Sequence, residues 1–359
     1  MLDIAGSLLQ RKIRKVSARI PLQSENAFGA FSDSFPPGGS DRRCRATATI
    51  QLHDKLQFPV AVKGKICYTV DRKGREPMKC DCHIHMVLDG VSWKAAIGRH
   101  ENAPAEDFIR KTLQTYRELG YTYLRDGGDR WCAGKKAREL ASEYGICYRT
   151  PLSPLCKAGQ YGTFIGEKYE NFKEYHALVL KMKENGADFI KIMISGLMDF
   201  DHFGVLTQPG LPANDIRELI HIAHEEGMTV MAHANGARTV EAAAAAGVDS
   251  VEHGAYMDYD SLAAIAEMGT VWVPTLSTIG NLRGKGRFSE TDVTAILESA
   301  VENVRKFALL GGLIACGSDA GAWAVPHGCE TEEGLLRLAL GEKTAEILEM
   351  GNRRIMEKF

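Results

Sequence analysis

The sequence predicts an α/β fold in which eight parallel strands and their helices form a (β/α)8 TIM barrel, preceded by a small β-rich segment. The 359 residues are 45% hydrophobic and 25% charged, which excludes a disordered, collagenous or coiled-coil chain. From about Ala105 onward, helix-like stretches alternate with short apolar runs, as they do around a parallel sheet. Several of these stretches end in Gly directly before the next apolar run, which is typical of helix C-caps.

Eight short apolar runs are the predicted strands of this barrel. They are Lys79–His83, Tyr121–Leu124, Ile146–Tyr148, Phe189–Ile194, Thr229–Ala232, Ser250–Val251, Thr270–Val273 and Leu313–Ala315. An open, doubly wound sheet is the alternative arrangement. Its Gly-rich turn G-x-G-x-x-G is absent after the first run, which ends in DCHIH. The closed barrel is therefore preferred.

The first 78 residues have a different pattern. Apolar, β-rich pieces at Val16–Ile20, Ala46–Leu52 and Val60–Val70 surround a turn-rich segment from Ser32 to Arg43. We therefore predict two parts. Residues 1–78 form a small β-rich N-terminal subdomain or extension, and residues 79–359 form the barrel with C-terminal helices.

Charge and cysteine content narrow the classes of partner. The formal net charge is −2 and no long Lys or Arg run occurs, so we expect no nucleic-acid partner. No apolar run approaches the ~18 residues that span a membrane, and the N-terminal charges follow the apolar part, unlike a signal peptide. Nine scattered cysteines indicate reduced thiols rather than disulfides. We expect a cytoplasmic homo-oligomer that acts on a small molecule, without a membrane partner.

Six side chains that could bind metal lie at or near the ends of these runs. They are His83, His85, Lys191, His233, His253 and Asp319. The carboxyl ends of barrel strands meet at one mouth, so these side chains are expected to converge. Lys191 is the strongest single indication, because an ammonium inside the apolar run FIKIMI is costly unless it is paired. Taken singly, a core histidine and a turn-capping aspartate remain the alternatives.

The segments CDCHIH, GADFIKIMISG, VMAHANGA, GVDSVEHGAY and GSDAG together resemble the amidohydrolase superfamily. The resemblance is strongest to its two-metal branch, which includes imidazolonepropionase-like proteins and metal-dependent prolidase-like dipeptidases. It implies two divalent ions, with zinc as the expected metal. One ion is bound by His83, His85 and Asp319, and the other by His233 and His253.

The resemblance also implies that Lys191 is carboxylated on its amine and bridges the two ions. A hydroxide that bridges the metals is then the nucleophile, with Asp319 as general base and acid. The implied activity is hydrolysis of a C–N bond in a small amide or cyclic amide. The alternatives are a deaminase of a nitrogen heterocycle with one metal and unmodified Lys191, a metal-dependent dipeptidase, and a non-catalytic barrel.

Five further residues are candidate substrate contacts. Gln160 and Tyr161 stand where prolidase-like proteins carry the His of a Gly-Gly-His-Gly pattern, and Asn235 stands where they often carry a tyrosine. His327 belongs to a retained VPHG element, and Trp323 lies near it in the sequence. The changes at Gln160, Tyr161 and Asn235 weaken the expectation that a peptide carboxylate is recognised in the prolidase manner.

Three long segments are expected to form the walls of the active site, namely residues 152–168, 195–212 and 274–289. A further expectation concerns the companion domain of this superfamily, a β-sandwich usually built from both chain ends. Only 40 residues follow Asp319 and they are helix-like, so any sandwich is expected to be reduced to residues 1–78.

Overall fold

The computed structural model describes residues 79–359. The predicted β-rich subdomain of residues 1–78 lies outside the described residues and stays a prediction. Among the helices from Trp93 to the C-terminus, none combines the length and the apolar character needed to cross a membrane.

Ten strands in this part of the chain form two parallel sheets. They are β1 (Lys79–Ile84), β2 (Tyr121–Asp126), β3 (Cys147–Arg149), β4 (Leu155–Lys157), β5 (Glu167–Tyr169), β6 (Ile190–Met193), β7 (Val230–Ala234), β8 (Ser250–His253), β9 (Val271–Val273) and β10 (Leu313–Ile314). One sheet has the order β1-β2-β3, and the other has the order β10-β9-β8-β7-β6-β4-β5.

Backbone hydrogen bonds connect the two sheets on both sides. The Asp319 N–H donates to the His83 carbonyl at 2.7 Å, so β1 runs beside the segment that follows β10. On the other side, the Asp188 N–H donates to the Thr150 carbonyl at 3.0 Å, between the ends of β3 and β6. The strands thus follow one another in the order of a (β/α)8 barrel, in which β3 and β4 divide the third strand position.

Eleven α-helices accompany the strands in the described region. They are α1 (Trp93–Arg99), α2 (Glu106–Glu118), α3 (Ala133–Ala141), α4 (Phe172–Glu184), α5 (Ala213–Glu225), α6 (Ala237–Ala245), α7 (Tyr259–Glu267), α8 (Ser277–Gly280), α9 (Glu290–Leu309), α10 (Thr331–Leu340) and α11 (Thr344–Lys358). Local signals explain several boundaries. The Asn171 side chain accepts a hydrogen bond from the Glu174 N–H at the start of α4, and Asp258 and Ser261 form a capping box at the start of α7.

The last helix, α11, packs over one part of the hydrophobic core. In α11, Ile355 is buried in a cluster with Phe189, Met231 and Val273, which belong to the strand region. Gly351 lies so close to β10 that a Cβ atom there would overlap the Ile314 carbonyl oxygen. This contact requires glycine, because any side chain would push the helix away from the strand.

All eight predicted strand runs are confirmed to within two residues at each end. Strands β4 and β5 were not predicted, because they lie in or at the end of the segment 152–168, which is predicted to be a wall loop. The Pro and Gly residues of this segment are typical of loops and hide its short strands.

Candidate metal centre

The structure brings all six predicted metal-binding side chains to the wall of one cavity of about 820 Å³. They are His83, His85, Lys191, His233, His253 and Asp319. The four histidines come from the carboxyl ends of strands or from the residue that follows directly, whereas Lys191 lies within β6 and Asp319 lies five residues after β10. The parallel strand order is what makes them converge, since the carboxyl ends of all strands point to the same face.

The donor atoms are close enough to share ions. Asp319 Oδ1 lies 3.1 Å from His85 Nε2 and 3.6 Å from His83 Nε2. The ligand atoms of His83, His253 and Asp319 all lie within 4.8 Å of one another. Two ligand atoms of one tetrahedral zinc ion are about 3.4 Å apart, because each bond is ~2.1 Å long. The rings of His233 and His253 are also neighbours, with centroids 4.5 Å apart.

Several buried polar atoms at this cavity have no hydrogen-bond partner among the described residues. They include Lys191 Nζ and His83 Nε2, whose residues are 1% and 0% exposed. A buried polar atom without a partner is costly, and such atoms in native proteins usually serve a ligand or a function. The donor set therefore fits bound divalent cations, with Lys191 as a further group that faces them.

The protonation states suit metal binding. Burial lowers the pKa of Lys191 to about 8, that of His83 to about 4 and that of His233 to about 3. Burial also holds the pKa of His253 well below its ordinary value. These imidazoles are therefore neutral at pH 7, which is the form that binds metal.

A buried ion pair of Glu252 and Arg125 holds the His83 ring at the nitrogen that does not face the cavity. Glu252 Oε2 lies 2.7 Å from His83 Nδ1, and Glu252 Oε1 accepts hydrogen bonds from Arg125 at 2.8 Å and from Ser250 at 2.6 Å. Arg125 also donates to the Cys82 carbonyl at 2.7 Å. Burial alone would raise the pKa of Glu252, but Arg125, the hydrogen bond with His83 and the nearby Lys191 together outweigh it and lower this pKa to about 2. An ionised Glu252 keeps the proton on His83 Nδ1 and leaves Nε2 free to face the cavity.

His253 and His233 are each held through one ring nitrogen. His253 Nδ1 lies 2.8 Å from the Thr275 hydroxyl, and His233 Nε2 lies 3.1 Å from the Gly196 carbonyl oxygen. The other nitrogen of each ring therefore remains available to a ligand.

The backbone around the cavity is strained at three positions. His253, Thr275 and Asp319 have φ angles of 69°, 49° and 56°, in the left-handed region that disfavours residues with a side chain. All three follow or end strands next to the candidate ligands. Such strain persists only where the surrounding structure enforces it, and it is frequent at functional sites.

Asp319 is ionised despite its burial. Burial would raise its pKa, but the neighbouring His83 and His85 rings outweigh this effect and lower the pKa below its ordinary value. Its carboxylate is therefore available at neutral pH both to bind a cation and to accept a proton.

The three predicted wall segments all contribute lining residues, as expected. Tyr161 and Phe164 come from the first segment, Phe200 from the second and Phe288 from the third. The Tyr161 ring lies 4.8 Å from the His233 ring, so the aromatic wall reaches the candidate ligands.

The structure brings three of the five predicted substrate contacts to the cavity wall. Tyr161, Asn235 and Trp323 line the cavity, whereas Gln160 and His327 are not brought to its wall. The two ring nitrogens of His327 lie within hydrogen-bonding distance of the Leu88 carbonyl and the Tyr116 hydroxyl, at 3.0 and 3.2 Å.

Asn235 also uses its side chain within the protein. Its amide nitrogen donates to the Gly196 carbonyl at 3.0 Å, and its amide oxygen accepts from the Ala255 N–H at 2.9 Å. Asn235 therefore joins two loops and has little capacity left for a substrate.

Sequence reasoning missed Glu252, Arg125 and Thr275. For Glu252 a signal was present, because a carboxylate within the buried strand segment SVEH is as costly as Lys191 in its own strand. For Arg125 and Thr275 no local pattern indicates a role, since their partners are distant in the sequence.

Known proteins resemble this chain in sequence and in fold. The sequence profile of the amidohydrolase family matches residues 81–352. An ochratoxinase from Aspergillus niger is 26% identical over 288 residues, which covers 67% of this chain and 56% of that protein. An uncharacterised protein of Mycobacterium tuberculosis is 25% identical over 215 residues, which covers 58% of this chain and 52% of that protein. The chain thus spans about half the length of the curated relatives it matches.

Two crystal structures show a similar fold. A Xaa-Pro dipeptidase with bound methionine in the active site has a TM-score of 0.62 at 20% identity, covering 79% of this chain and 76% of the other. The Aspergillus niger ochratoxinase has a TM-score of 0.62 at 19% identity, covering 76% and 69%. At these identities the likeness shows the fold alone.

Proposed function

The chain belongs to the amidohydrolase family, and from this premise we propose that it is a metal-dependent hydrolase that cleaves a C–N bond in a small amide or cyclic amide. One observation carries the proposal. Six side chains of the type that binds metal line one cavity, and two buried atoms among them, Lys191 Nζ and His83 Nε2, have no hydrogen-bond partner among the described residues.

We propose that one divalent ion is bound by His83, His85 and Asp319, and a second by His233 and His253. The short distances from Asp319 to the first two histidines support the first group. The 4.5 Å between the His233 and His253 rings supports the second. Zinc suits a set rich in imidazole.

Lys191 is proposed to carry a carbamate, whose oxygens would be further ligands for the two ions. Its lowered pKa, about 8, leaves a fraction of free amine at neutral pH. That amine attacks carbon dioxide, an N–C bond forms, and one proton is released to solvent. The product is an anion, so the cost of burying an ammonium disappears.

The chemistry that bound divalent ions supply is activation of water near neutral pH and polarisation of a carbonyl group. The residues of the chain supply the rest. Asp319 accepts a proton from the attacking water and transfers it to the leaving nitrogen. Glu252, held by Arg125, keeps His83 in the tautomer whose Nε2 faces the cavity.

A second candidate function follows from the compact group of His83, His253 and Asp319, whose ligand atoms lie within 4.8 Å of one another. This group favours a site with a single ion. In that case Lys191 stays unmodified, and the enzyme is a deaminase of a nitrogen heterocycle.

Metal content and the state of Lys191 separate the two functions. The protein is purified without chelator, its metal is counted, and the intact mass is searched for a carbon dioxide adduct at Lys191. Two ions per chain with an adduct support the hydrolase, whereas one ion and unmodified lysine support the deaminase. A screen of lactams, hydantoin-like rings, N-acyl amino acids, dipeptides and nitrogen heterocycles then measures turnover.

The matched control is a histidine on the outer surface. Replacing His253 by Asn is expected to lower metal content, whereas His221→Asn is expected to leave it unchanged, because the His221 side chain is 60% exposed on α5. Asp319→Asn is expected to abolish turnover. A protein that holds no metal and whose turnover is indifferent to chelators would refute the proposal.

A further inference from the structure

We propose that Arg287 binds a carboxylate of the substrate, and that the substrates are N-acyl amino acids that carry an aromatic ring. This inference rests on the proposed C–N hydrolase function. Arg287 lines the same cavity as the candidate metal ligands, although it lies in an exposed loop between α8 and α9.

Within residues 79–359, Arg287 is the charged side chain of this cavity that has no ionic partner. Apart from the six candidate metal-binding residues, Asp199 and Arg287 are the charged residues in its described lining. The Asp199 carboxylate already has partners within the protein. Its Oδ2 lies 3.0 Å from His202 Nδ1, and its Oδ1 accepts a hydrogen bond from the Asp201 N–H at 2.9 Å. The Arg287 guanidinium has no hydrogen bond or ion pair with any described residue. Its N–H groups are free for an anion.

The guanidinium is nevertheless held in place. Its central carbon lies 4.4 Å from the ring centroid of Trp323 and 5.2 Å from that of Phe288. Stacking on aromatic faces uses the flat sides of the guanidinium and leaves its N–H edge open. That edge matches the two oxygens of a carboxylate. The other arginine of this loop, Arg283, lies within 3.9 Å of Glu290 instead.

One wall of the cavity is a continuous line of aromatic rings. It runs from Trp93, which is 51% exposed at the rim, through Phe164 and Tyr161 to the candidate ligand His233. The successive ring centroids are 5.5, 6.1 and 4.8 Å apart. These spacings are those of packed aromatic pairs, so a further ring of a substrate can pack against the same surface.

A second group of rings surrounds Arg287. Phe200 packs on Phe288 at 5.2 Å, and Phe288 packs on Trp323 at 6.2 Å. The cavity therefore offers three kinds of contact: candidate metal ligands for an amide, aromatic surfaces for a ring, and one free guanidinium for a carboxylate. Its volume of about 820 Å³ lies within the ~300–1,000 Å³ typical of small-molecule sites.

An N-acyl amino acid with an aromatic ring meets all three requirements. Water adds its oxygen to the acyl carbon, the C–N bond breaks, and the nitrogen leaves with a proton as the amine of the free amino acid. A neutral lactam or heterocycle would leave Arg287 without a partner. Arg287 thus selects substrates that carry a carboxylate.

The test compares N-benzoyl-phenylalanine with its C-terminal carboxamide, which has nearly the same size but no negative charge and one acceptor oxygen fewer. The ratio of kcat/KM for acid and carboxamide is measured in the metal-loaded protein and in three variants. Arg287→Gln removes the guanidinium, and Arg287→Lys keeps the charge without the planar edge. The control Lys285→Gln removes a charge from the same loop at an exposed residue that does not line the cavity.

We expect the unaltered protein and Lys285→Gln to prefer the acid by roughly ten- to a hundredfold, the value of a charged hydrogen bond. Arg287→Gln should lose this preference through a lower kcat/KM for the acid, and Arg287→Lys should be intermediate. A preference that survives in Arg287→Gln overturns the inference.

A binding measurement separates this inference from the proposed function. The affinity for the acid and for the carboxamide is measured by tryptophan fluorescence in chelator-treated protein, where hydrolysis plays no part. If neither compound is hydrolysed but the acid binds at least tenfold more tightly, and only while Arg287 is present, Arg287 is the carboxylate site and the hydrolase proposal fails for these amides. Equal affinity of both compounds for the unaltered protein overturns the role of Arg287.

Discussion

Replacing Glu252 by Gln tests whether the buried Arg125–Glu252 pair holds His83 in the tautomer that binds metal. The change keeps the size of the side chain and removes its charge. The new amide presents its NH2 group either to Arg125 and Ser250, which are donors, or to His83 Nδ1. In the first case donors face each other, and in the second His83 must carry its proton on Nε2, where it blocks a metal.

The size of the effect follows from burial and distance. Arg125 and Glu252 are 0% exposed and 2.8 Å apart. Their attraction is about 6 kcal/mol at an effective dielectric constant of ~20. Much of it offsets the cost of removing both charges from water, but removal of one partner leaves the other buried and unpaired, which costs about 3–5 kcal/mol. Loss of the support of a metal-binding histidine lowers metal affinity by roughly 10–100-fold.

The assay is a double-mutant cycle with Glu252→Gln, Arg125→Met and the combination. The free energy of unfolding of chelator-treated protein is measured by urea titration, and zinc affinity by competition with a chromogenic chelator. We expect each single change to be strongly destabilising and the combination to cost clearly less than their sum, since it leaves no unpaired charge.

Two results would refute this reasoning. A coupling energy near zero would show that the pair is not an energetic unit. Unchanged zinc affinity in a folded Glu252→Gln protein would show that the carboxylate does not position His83.

Three further predictions concern other parts of the molecule. Burial raises the pKa of Glu332 to about 8, so the folded state holds a proton that the unfolded state releases near pH 4.5. The free energy of unfolding should therefore fall by a few kcal/mol between about pH 5 and about pH 9, and Glu332→Gln should remove this part of the slope in urea titrations. Gly351→Ala should destabilise the folded protein by about 1–3 kcal/mol, because the new Cβ atom overlaps β10. Gly334→Ala should stabilise it by about 0.5–1 kcal/mol, because this position lies inside α10 with no atom near the new Cβ. Equal thermal midpoints of the two variants would contradict this prediction. Thr275→Val removes the partner of His253 Nδ1 and should weaken zinc binding at least tenfold, and an unchanged affinity in the chelator competition would rule out this support.

The strands and the candidate ligands could be predicted from sequence because their signals are local. An apolar run marks each strand, and a polar residue at its end marks the face where the site is built. Lys191 is the clearest example, because an ammonium group inside an apolar run is costly unless it is paired.

The supporting contacts could not be predicted because they depend on the closed fold. Arg125 and Glu252 are 127 positions apart and lie on β2 and β8, which are not neighbours in either sheet. Arg287 lies in a loop directly after Gly284 and Gly286, and no periodicity indicates that it stacks on Trp323. Strand β3 was predicted, but its continuation by β4 at the third strand position was not, because β4 lies in a segment whose Pro and Gly residues are typical of loops.

The left-handed backbone at His253, Thr275 and Asp319 limits how this barrel can be engineered. Glycine is the residue that would adopt these conformations at least cost, so a search guided by stability alone would tend to replace these three residues first. Each such replacement would delete a side chain that faces the cavity or holds one that does. Thermostable variants that keep their activity should instead be sought on the outer helices, where Gly334 already offers a position free of neighbours.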